Sequence, residues 1–355
     1  MGLVLNKMPM RKNIKFYDTD KIDLRDERTI NEVLRKEGMY SKSHMFPIAS
    51  LQFELTTHCN VFCKHCYNNS GICNDIPDLM TSEKWIEFAK YLVEHGGIFE
   101  CILSGGEPLL LGEALFEVMD ILHDDGTCFM LLTNGYLLSE ERVERLRKYR
   151  YHWVQISIDS VNSEYHDSFR KRKDSWKKAV AGAIKVSKSG MPLKIAHCVT
   201  RYNINEIDNM CEFAYLLGAS CITVGELCLS GRVAQNKDLL LSSTERQQLR
   251  IKVQENAAKY RGRMKVKTSN GIQFGLKRHK KRPNSSAIIR PNGDIRIDGM
   301  APFIIGNILT DDFANVWKEK INTCWDNPKV IEYISQFEDD RNNTFINYIE
   351  DDIYI

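Results

Sequence analysis

The chain has 355 residues, of which 43% are hydrophobic and 27% charged, and its formal net charge is +2. This length fits one large domain with an appendage, or two domains, and the near-neutral charge indicates no polyanionic partner. No run of about 18 apolar residues occurs, so we expect no membrane span. Eleven cysteines in a long chain are unlike a secreted disulfide framework, which predicts a cytoplasmic location.

Residues 1–48 are predicted to be an N-terminal extension. The segment is polar, mixed in charge and without the apolar core of a signal peptide. A strand is expected within residues 12–22 and a short helix at residues 29–37, because Ile30, Val33 and Leu34 share one helical face. An ordered collar packed on the next domain is the simpler interpretation, and a peptide-docking element is the sharper one.

Residues 49–235 alternate short apolar runs with helical patterns. Strands are predicted at residues 51–55, 99–103, 128–132, 153–158, 193–199 and 221–227. Helices are predicted between them at residues 82–95, 113–123, 139–148, 174–189 and 204–217, with Thr81 and Ser139 as N-caps. Six strands that alternate with five crossover helices predict an α/β fold with a parallel sheet.

Three cysteines follow the first predicted strand at the spacing C-x₃-C-x₂-C: Cys59, Cys63 and Cys66. Cysteine thiolates at short spacings hold iron–sulfur clusters. A 4Fe–4S cluster usually has four ligands, so three would leave one iron open to a group that is not protein. A zinc site normally needs four protein ligands in paired spacing, and the sequence has no second pair. Three buried structural cysteines are the remaining alternative.

This cysteine pattern resembles that of the radical SAM superfamily. The resemblance implies one 4Fe–4S cluster, whose open iron binds the amino and carboxylate groups of S-adenosylmethionine (SAM). It implies reductive cleavage of SAM to a 5′-deoxyadenosyl radical, which abstracts hydrogen from the substrate, with a flavodoxin- or ferredoxin-type protein as reductant. The family has an aromatic residue before the third cysteine. Here His65 takes that place, and its ring is expected to lie against adenine, with Tyr67 beside it.

The same resemblance implies a fold and a position for the site. The fold would be a partial (β/α)₆ TIM-like barrel, and sites in such barrels lie at the carboxyl ends of the strands. After the second strand comes Ser104-Gly105-Gly106-Glu107-Pro108, here called the Gly-Gly turn. Paired glycines let the backbone approach a ligand closely, and proline stiffens the turn. The family uses this turn to bind the amino group of SAM.

Polar residues also follow the next three strands. Asn134 is expected to line the cofactor rim, although an ordinary turn explains it equally well. Ser157 and Asp159 should point the same way because strand side chains alternate. The resemblance implies that they contact the ribose and carboxylate of SAM, and Asp159 has substrate as an alternative. Asn203 is expected near the adenine, or as an N-cap of the following helix.

The sixth strand ends with two candidate catalytic residues, Glu226 and Cys228. A thiol at the radical end of the barrel can donate a hydrogen atom to a carbon radical, as in the peptide epimerases of the family. The simpler interpretation of Cys228 is a small buried hydrophobe. The segment Ser230-Gly231-Arg232 comes next and has counterparts in the family.

Residues 236–325 are predicted to close the barrel and to form a small α+β module. A helix is expected at residues 242–260 and a hairpin with a Pro-Asn-Gly turn at residues 287–298. A Gly-Asn segment and a short helix that ends at Trp317 follow. This order resembles the SPASM or twitch module of peptide-modifying radical SAM enzymes.

The module departs from its relatives at the auxiliary cluster. Where they have a cysteine at the end of the hairpin, this chain has Asp298, and Cys324 is the only cysteine after Cys228. One cysteine does not supply the ligands of a second cluster. We therefore expect one cluster in total, which argues against reactions that need an auxiliary cluster.

Two charged segments complete the sequence. The basic run at residues 277–282 is predicted to be a solvated loop, with an acidic peptide or nucleic acid as the alternative partner. No aromatic residues interrupt it, which argues against nucleic acid. The acidic and aromatic tail at residues 326–355 is expected either to fray or to cover the barrel mouth.

Together these resemblances imply a radical SAM enzyme that acts on a ribosomally synthesised precursor peptide. The expected outcome is epimerisation, a crosslink or another modification at Cα or Cβ. One alternative is a radical SAM enzyme for a small molecule such as a nucleoside, sugar or tetrapyrrole. Another is a non-catalytic iron–sulfur or SAM-binding partner protein.

Overall fold

The computed structural model describes residues 50–71, 77–227, 230–269, 286–336 and 352–355, and the single residues 280 and 283. The N-terminal extension at residues 1–48 lies outside the described residues. So do most of the basic run and residues 337–351 of the predicted tail.

One sheet organises the described part of the chain. Its strands are β1 (Ser50–Glu54), β2 (Glu100–Ser104), β3 (Cys128–Thr133), β4 (Tyr151–Ser157), β5 (Leu193–Val199), β6 (Cys221–Glu226), β7 (Lys265–Thr268), β8 (Ser286–Ile289), β9 (Asp294–Asp298), β10 (Ala301–Asn307) and β11 (Ile353–Tyr354). Their spatial order is β11-β10-β9-β8-β1-β2-β3-β4-β5-β6-β7. The sheet has two edges, so the barrel is open.

Helices connect the strands and follow the sheet. They are α1 (Ser82–Glu94), α2 (Glu113–Asp124), α3 (Glu140–Leu146), α4 (Ser163–Arg170), α5 (Ser175–Lys188), α6 (Ile207–Leu216), α7 (Ser243–Lys259), α8 (Phe313–Lys320) and α9 (Pro328–Ser335). Among the described residues, no helix has the length and apolar character needed to cross a membrane.

The predicted α/β class with a parallel sheet is confirmed. Strands β1 to β7 are parallel to their neighbours and lie in sequence order. The side chains of Thr81 and Ser139 accept hydrogen bonds from the backbone N–H groups of Lys84 and Arg142, so both N-cap predictions are confirmed. The carboxyl ends of parallel strands lie at one edge of the sheet, where the predicted site residues are expected to meet.

Helical periodicity explains how the core forms. In α1 the buried residues Trp85, Phe88, Ala89 and Leu92 repeat at three- and four-residue steps, so one face packs on the sheet. Trp85 also donates its indole N–H to the carbonyl of Leu55 at 3.0 Å. This bond satisfies the one polar atom of a buried indole and fixes the start of the loop that follows β1.

The C-terminal hairpin extends the same sheet. Strand β8 pairs in parallel with β1, and β9 pairs with β8 and β10 in antiparallel fashion. Two parts of the predicted tail are ordered elements, because α9 buries Val330 and Tyr333 and β11 pairs with β10. Among the described residues, the tail therefore begins with a packed helix and ends on the edge of the sheet.

Candidate active site

The cysteine loop (residues 55–71) starts at the carboxyl end of β1. Cys59, Cys63 and Cys66 are all free thiols, and Cys63 is buried. The end of α4 supports the loop, because the N–H groups of Phe62 and Lys64 donate to carbonyl groups of α4 at 3.1 and 2.9 Å. The three predicted cluster ligands therefore lie on a loop whose backbone is fixed by hydrogen bonds.

The segment at residues 230–232 braces the other side of the loop. The guanidinium of Arg232 donates to the carbonyl groups of Cys63 and Ser70, both at 2.7 Å, and its backbone N–H donates to the carbonyl of Cys66 at 3.0 Å. Gly231 has a φ of +54°, and a Cβ there would lie 2.4 Å from the carbonyl oxygen of Cys66. The family resemblance pointed to this segment, but its support of the cysteine loop has no signal in the sequence.

Burial and nearby donors set the protonation of the thiols. Burial raises the pKa of Cys59 to about 11 and that of Cys63 to about 12, while the charge of Arg170 opposes both shifts. Arg170 and Asn134 place side-chain N–H groups 3.8 Å from the sulfurs of Cys63 and Cys59, respectively. Iron must therefore displace protons from these thiols, and N–H donors are in place for the thiolates.

These residues fit a 4Fe–4S cluster with three protein ligands. The thiols are near enough for the charge of each to affect another, since Cys59 and Cys66 both contribute to the raised pKa of Cys63. Hydrogen bonds hold the loop backbone from two sides, which fixes the positions of the three cysteines. The three thiols of Cys59, Cys63 and Cys66 are therefore the residues that fit the cluster.

The Gly-Gly turn packs directly on the cysteine loop. The N–H of Gly106 donates to the carbonyl of Thr56 at 2.6 Å, and the N–H of Glu107 donates to that of His58 at 3.0 Å. A Cβ at Gly106 would lie 2.0 Å from the carbonyl oxygen of His58, and Gly105 has a φ of +122°. Only glycines allow this approach, so the turn borders the loop as the sequence predicts for a SAM site.

Glu107 links the Gly-Gly turn to the turn after β3. Its carboxylate accepts hydrogen bonds from the hydroxyl of Thr133 at 2.7 Å and from the backbone N–H of Asn134 at 2.9 Å. The side chain is fully buried, and burial raises the pKa of Glu107 to about 7. Asn134 in turn donates to Asn60 on the loop at 2.7 Å. Two predicted SAM-binding turns and the cysteine loop therefore form one network.

Asp159 is placed in a buried ion pair rather than on an open surface. Its carboxylate lies 2.8 Å from the guanidinium of Arg170 and accepts a hydrogen bond from the N–H of Cys198 at 3.1 Å. Strand β4 ends at Ser157, so Asp159 lies beyond the strand. The alternation of strand side chains therefore does not require Asp159 to point the same way as Ser157. Ser157 is the more exposed of the two and stays a predicted SAM contact.

His65 packs against Phe169 with ring centroids 4.2 Å apart and nearly parallel planes. One face of the imidazole is therefore covered by protein. Burial lowers the pKa of His65 to about 4, so the ring is neutral at physiological pH. Its contact with adenine stays a prediction for the other face.

Asn203 braces the backbone. Its amide donates to the carbonyl groups of Asp159 and Cys198 at 2.8 and 3.0 Å and accepts from the N–H of Thr200 at 2.7 Å. Asn203 does stand at the N-cap position of the short 3-10 helix Ile204–Glu206, as the alternative predicts, but its side chain makes no capping hydrogen bond there. It is also fully buried, which leaves a contact with adenine untested.

The two candidate catalytic residues have different outcomes. Glu226 forms an ion pair with Arg246 of α7 at 3.0 Å, so its carboxylate already has a cationic partner. Cys228 lies outside the described residues.

Tyr67, a predicted cofactor contact, donates its hydroxyl to Glu54 at 3.5 Å.

Asp298, which stands where the relatives have a cysteine of the auxiliary cluster, accepts a hydrogen bond from the backbone N–H of Met300 at 2.7 Å. Cys324 is buried, and its thiol donates to the carbonyl of Ile321 at 3.3 Å. Both residues therefore have structural partners within the C-terminal module.

The model of the family described as "Radical SAM superfamily" matches residues 53–214, which include the cysteine loop and the Gly-Gly turn. An AdoMet-dependent heme synthase of Methanosarcina barkeri is 28% identical over 290 residues, which cover 76% of this chain and 81% of the relative. The antilisterial bacteriocin subtilosin biosynthesis protein AlbA of Bacillus subtilis is 29% identical over 302 residues. That match covers 82% of this chain but only 64% of AlbA.

Among solved structures, Streptococcus suis SuiB bound to S-adenosylmethionine has a similar fold. The TM-score is 0.64 at 14% identity, and the match covers 93% of this chain and 84% of SuiB. SuiB bound to its precursor peptide SuiA gives a TM-score of 0.62. This likeness, which covers nearly the whole chain, confirms the predicted α/β fold class with a mostly parallel sheet.

Proposed function

Residues 53–214 make this chain a member of the radical SAM superfamily, and from that premise we propose that it modifies a ribosomally synthesised peptide. The outcome would be epimerisation, a crosslink or another change at Cα or Cβ. AlbA, a bacteriocin biosynthesis protein, supports this proposal by its similarity to 82% of the chain. The chain spans less than two thirds of AlbA, so the activity and the substrate belong to the proposal.

In this proposal Cys59, Cys63 and Cys66 hold one 4Fe–4S cluster. When bound, the cluster supplies the electron that cleaves SAM to the 5′-deoxyadenosyl radical. The Gly-Gly turn places the amino group of SAM, and Ser157 contacts its ribose or carboxylate. Arg170 directs a cationic N–H group at the sulfur of Cys63, at 3.8 Å, and so stabilises its thiolate form.

One structural observation carries the proposal for a peptide. The C-terminal hairpin joins the sheet beside β1, and Met80, after the cysteine loop, donates its N–H to the carbonyl of Pro291 at 2.8 Å. The module therefore lies beside the loop, in a sheet whose two edges among the described strands are β11 and β7. SuiB, with the same overall fold, has a structure with a bound precursor peptide.

The experiment uses reduced, anaerobically reconstituted enzyme with SAM and each small peptide encoded beside its gene. We expect a mass or stereochemical change in one peptide, together with release of 5′-deoxyadenosine. The C59A/C63A/C66A variant should give neither product. As a matched control, C101A removes a buried thiol from β2 and should keep activity. Release of 5′-deoxyadenosine with every peptide unchanged would refute the peptide proposal.

The second candidate is a small-molecule radical SAM enzyme. The heme synthase of Methanosarcina barkeri favours it, because the match covers 81% of that relative. A tetrapyrrole altered by the same preparation, with no peptide changed, would establish this candidate instead. If no preparation releases 5′-deoxyadenosine, the chain is a non-catalytic iron–sulfur or SAM-binding protein.

The proposal also includes the partners and the setting of the enzyme. A flavodoxin- or ferredoxin-type protein would supply the electron, and an oxygen-sensitive cluster requires a reducing compartment such as the cytoplasm. Pull-down of a flavodoxin by the reconstituted enzyme, and its ability to replace dithionite, tests the reductant.

A further inference from the structure

Two arginines of the C-terminal hairpin are buried beside the start of the cysteine loop. Arg290 follows β8 and is 1% exposed, and Arg296 lies in β9 and is 0% exposed. Because Phe53 pairs with Ile289, the next residues along the two strands come together. Nε of Arg290 accordingly lies 3.6 Å from Oε2 of Glu54. Two guanidinium groups thus lie where the loop leaves the sheet.

Arg296 has more donors than its neighbours use. Its Nε donates to the carbonyl of Ala301 at 3.1 Å. Within the part of the chain that the structure describes, Nη1 and Nη2 have no hydrogen-bond partner. Buried donors without acceptors are unfavourable, so they favour a ligand with acceptor oxygens.

A carboxylate from the C-terminal segment (residues 352–355) reaches both arginines. Oδ2 of Asp352 accepts a hydrogen bond from Nη1 of Arg290, and Oδ1 lies 3.4 Å from Nε of Arg296. The segment is held by the pairing of β11 with β10, by a hydrogen bond from the N–H of Ile355 to the carbonyl of Ile304 at 3.0 Å, and by a hydrogen bond from the hydroxyl of Tyr354 to Asp294. An acidic side chain on an extended backbone therefore already occupies this place.

We propose that Arg290 and Arg296 form a carboxylate-binding subsite that receives an acidic side chain of the peptide substrate, and that Asp352 occupies it until the substrate binds. The inference rests on the proposed peptide function and adds a property of the substrate. Glu54 forms an ion pair with Arg290, whereas Asp352 forms ion pairs with both arginines. Planar guanidinium groups are well matched to carboxylates.

The C-terminal segment is suited to exchange. Strand β11 has two residues, lies at the edge of the sheet, and leaves Ile353 and Tyr354 39% and 59% exposed. A buried charge left alone is unfavourable, so departure of Asp352 requires another anion to enter.

The first test asks whether the subsite binds a carboxylate, and it uses the full chain without cluster or SAM. D352A should lower the thermal unfolding midpoint, and sodium acetate should raise it again by several degrees. Acetamide, a neutral molecule of similar shape, should not. Wild type and D326A, which loses an exposed aspartate of the same module, should not respond to acetate. An equal response of D352A to acetate and acetamide would overturn the proposal.

The arginines are tested in the same background. R296Q/D352A should lose the acetate response. R296K/D352A keeps the positive charge but not the planar guanidinium with its paired N–H donors, so it should retain part of the response. If R296Q/D352A does not fold, R290K/D352A takes its place with a reduced response expected. An acetate response unaffected by either arginine substitution would show that the anion binds elsewhere.

The second test distinguishes a peptide side chain from a free carboxylate. The probes are acetyl-Gly-Gly-Asp-Gly-Gly-amide and its Asn counterpart, in which the side chain is the only difference. D352A should bind the Asp peptide at least about tenfold more tightly than the Asn peptide. If D352A binds acetate but binds the Asp and Asn peptides equally, the substrate role is refuted. The two arginines would then bind only the chain's own Asp352. Neither test uses radical chemistry, so each result stands if the proposed function fails.

Discussion

A guanidinium nitrogen of Arg170 lies 2.8 Å from a carboxylate oxygen of Asp159, in an ion pair that is almost completely shielded from solvent. Arg170 also extends to the sulfur of Cys63 at 3.8 Å. The Asp159 charge holds the pKa of Arg170 above its usual value, and Arg170 opposes the effect of burial on Asp159, whose pKa is low. The end of α4 is thereby tied both to the sheet and to the cysteine loop.

Removal of Arg170 should destabilise the protein strongly. R170Q leaves the charge of Asp159 buried and unpaired, so we expect a loss of about 3–5 kcal/mol in the free energy of unfolding. R147Q removes an arginine from an exposed pair with Glu144 and should cost less than about 1 kcal/mol. Urea unfolding of the cluster-free proteins measures both. The double variant D159N/R170Q should recover part of the loss, and equal stability of R170Q and R147Q would contradict this account.

The contact of Gly231 with Cys66 should be needed for cluster loading. G231A places a Cβ 2.4 Å from the carbonyl oxygen of Cys66, so the loop must move and iron per chain should fall by at least about half. Gly262 is the matched control, because its φ is also positive, at +77°, but apart from its chain neighbours no atom of the described residues lies within 4 Å of the added Cβ. Iron analysis after reconstitution compares the two variants. An equal loss of iron in G231A and G262A would assign the defect to backbone strain alone. Iron at the wild-type level in both variants would show that the contact of Gly231 with Cys66 is not needed for cluster loading.

The hydrogen bonds of Glu107 should be required for SAM binding. One carboxylate oxygen of Glu107 accepts from Thr133 and Leu109, and the other accepts from the N–H of Asn134. In E107Q one of these oxygens becomes an NH₂ group, which places a donor against a donor. The two turns should therefore separate. We expect SAM affinity to fall about tenfold or more. The change in the cluster's paramagnetic resonance on SAM titration measures it. E113Q alters an exposed carboxylate and should bind SAM like wild type.

Buried histidines should make the fold sensitive to acid. Burial lowers the pKa of His197, in β5, to about 4, so the folded state binds this proton less readily than the unfolded state. Its contribution to stability is complete above about pH 6.5 and is lost as the pH falls towards 4. Between pH 7.5 and 5 this residue should account for about 2 kcal/mol. Unfolding at the two pH values should show a smaller difference in H197L, and an unchanged difference would contradict the assignment.

The main elements were predictable because their signals are local. The apolar runs of β1 to β6 and the three- and four-residue spacing of buried residues in α1 belong to single segments. Helix α4 was not predicted. Its sequence from Ser163 to Arg170 is mostly polar, and His166, Phe169 and Arg170 become buried only through contacts with distant residues. Arg170 was therefore missed, although it is the residue that ties Asp159 to the loop.

Strand pairing between residues far apart in the chain also could not be predicted from the sequence. The predicted hairpin at residues 287–298 is present, but its parallel pairing with β1 joins residues more than 230 positions apart. The burial of Arg290 beside Glu54 follows from that pairing. In the same way, Asp352 lies in the acidic and aromatic tail, which the sequence predicts either to fray or to cover the barrel mouth. Acidic composition predicts solvation, whereas β11 places this carboxylate on two buried guanidinium groups.

The central claim is that this chain binds one 4Fe–4S cluster on Cys59, Cys63 and Cys66. The most direct test is an anaerobic iron count with paramagnetic resonance on reconstituted protein, comparing wild type, C59A/C63A/C66A and C324A. We predict about four irons per chain in wild type and in C324A, and almost none in the triple variant. About eight irons in wild type, with about four retained in the triple variant, would reveal an auxiliary cluster and contradict the account.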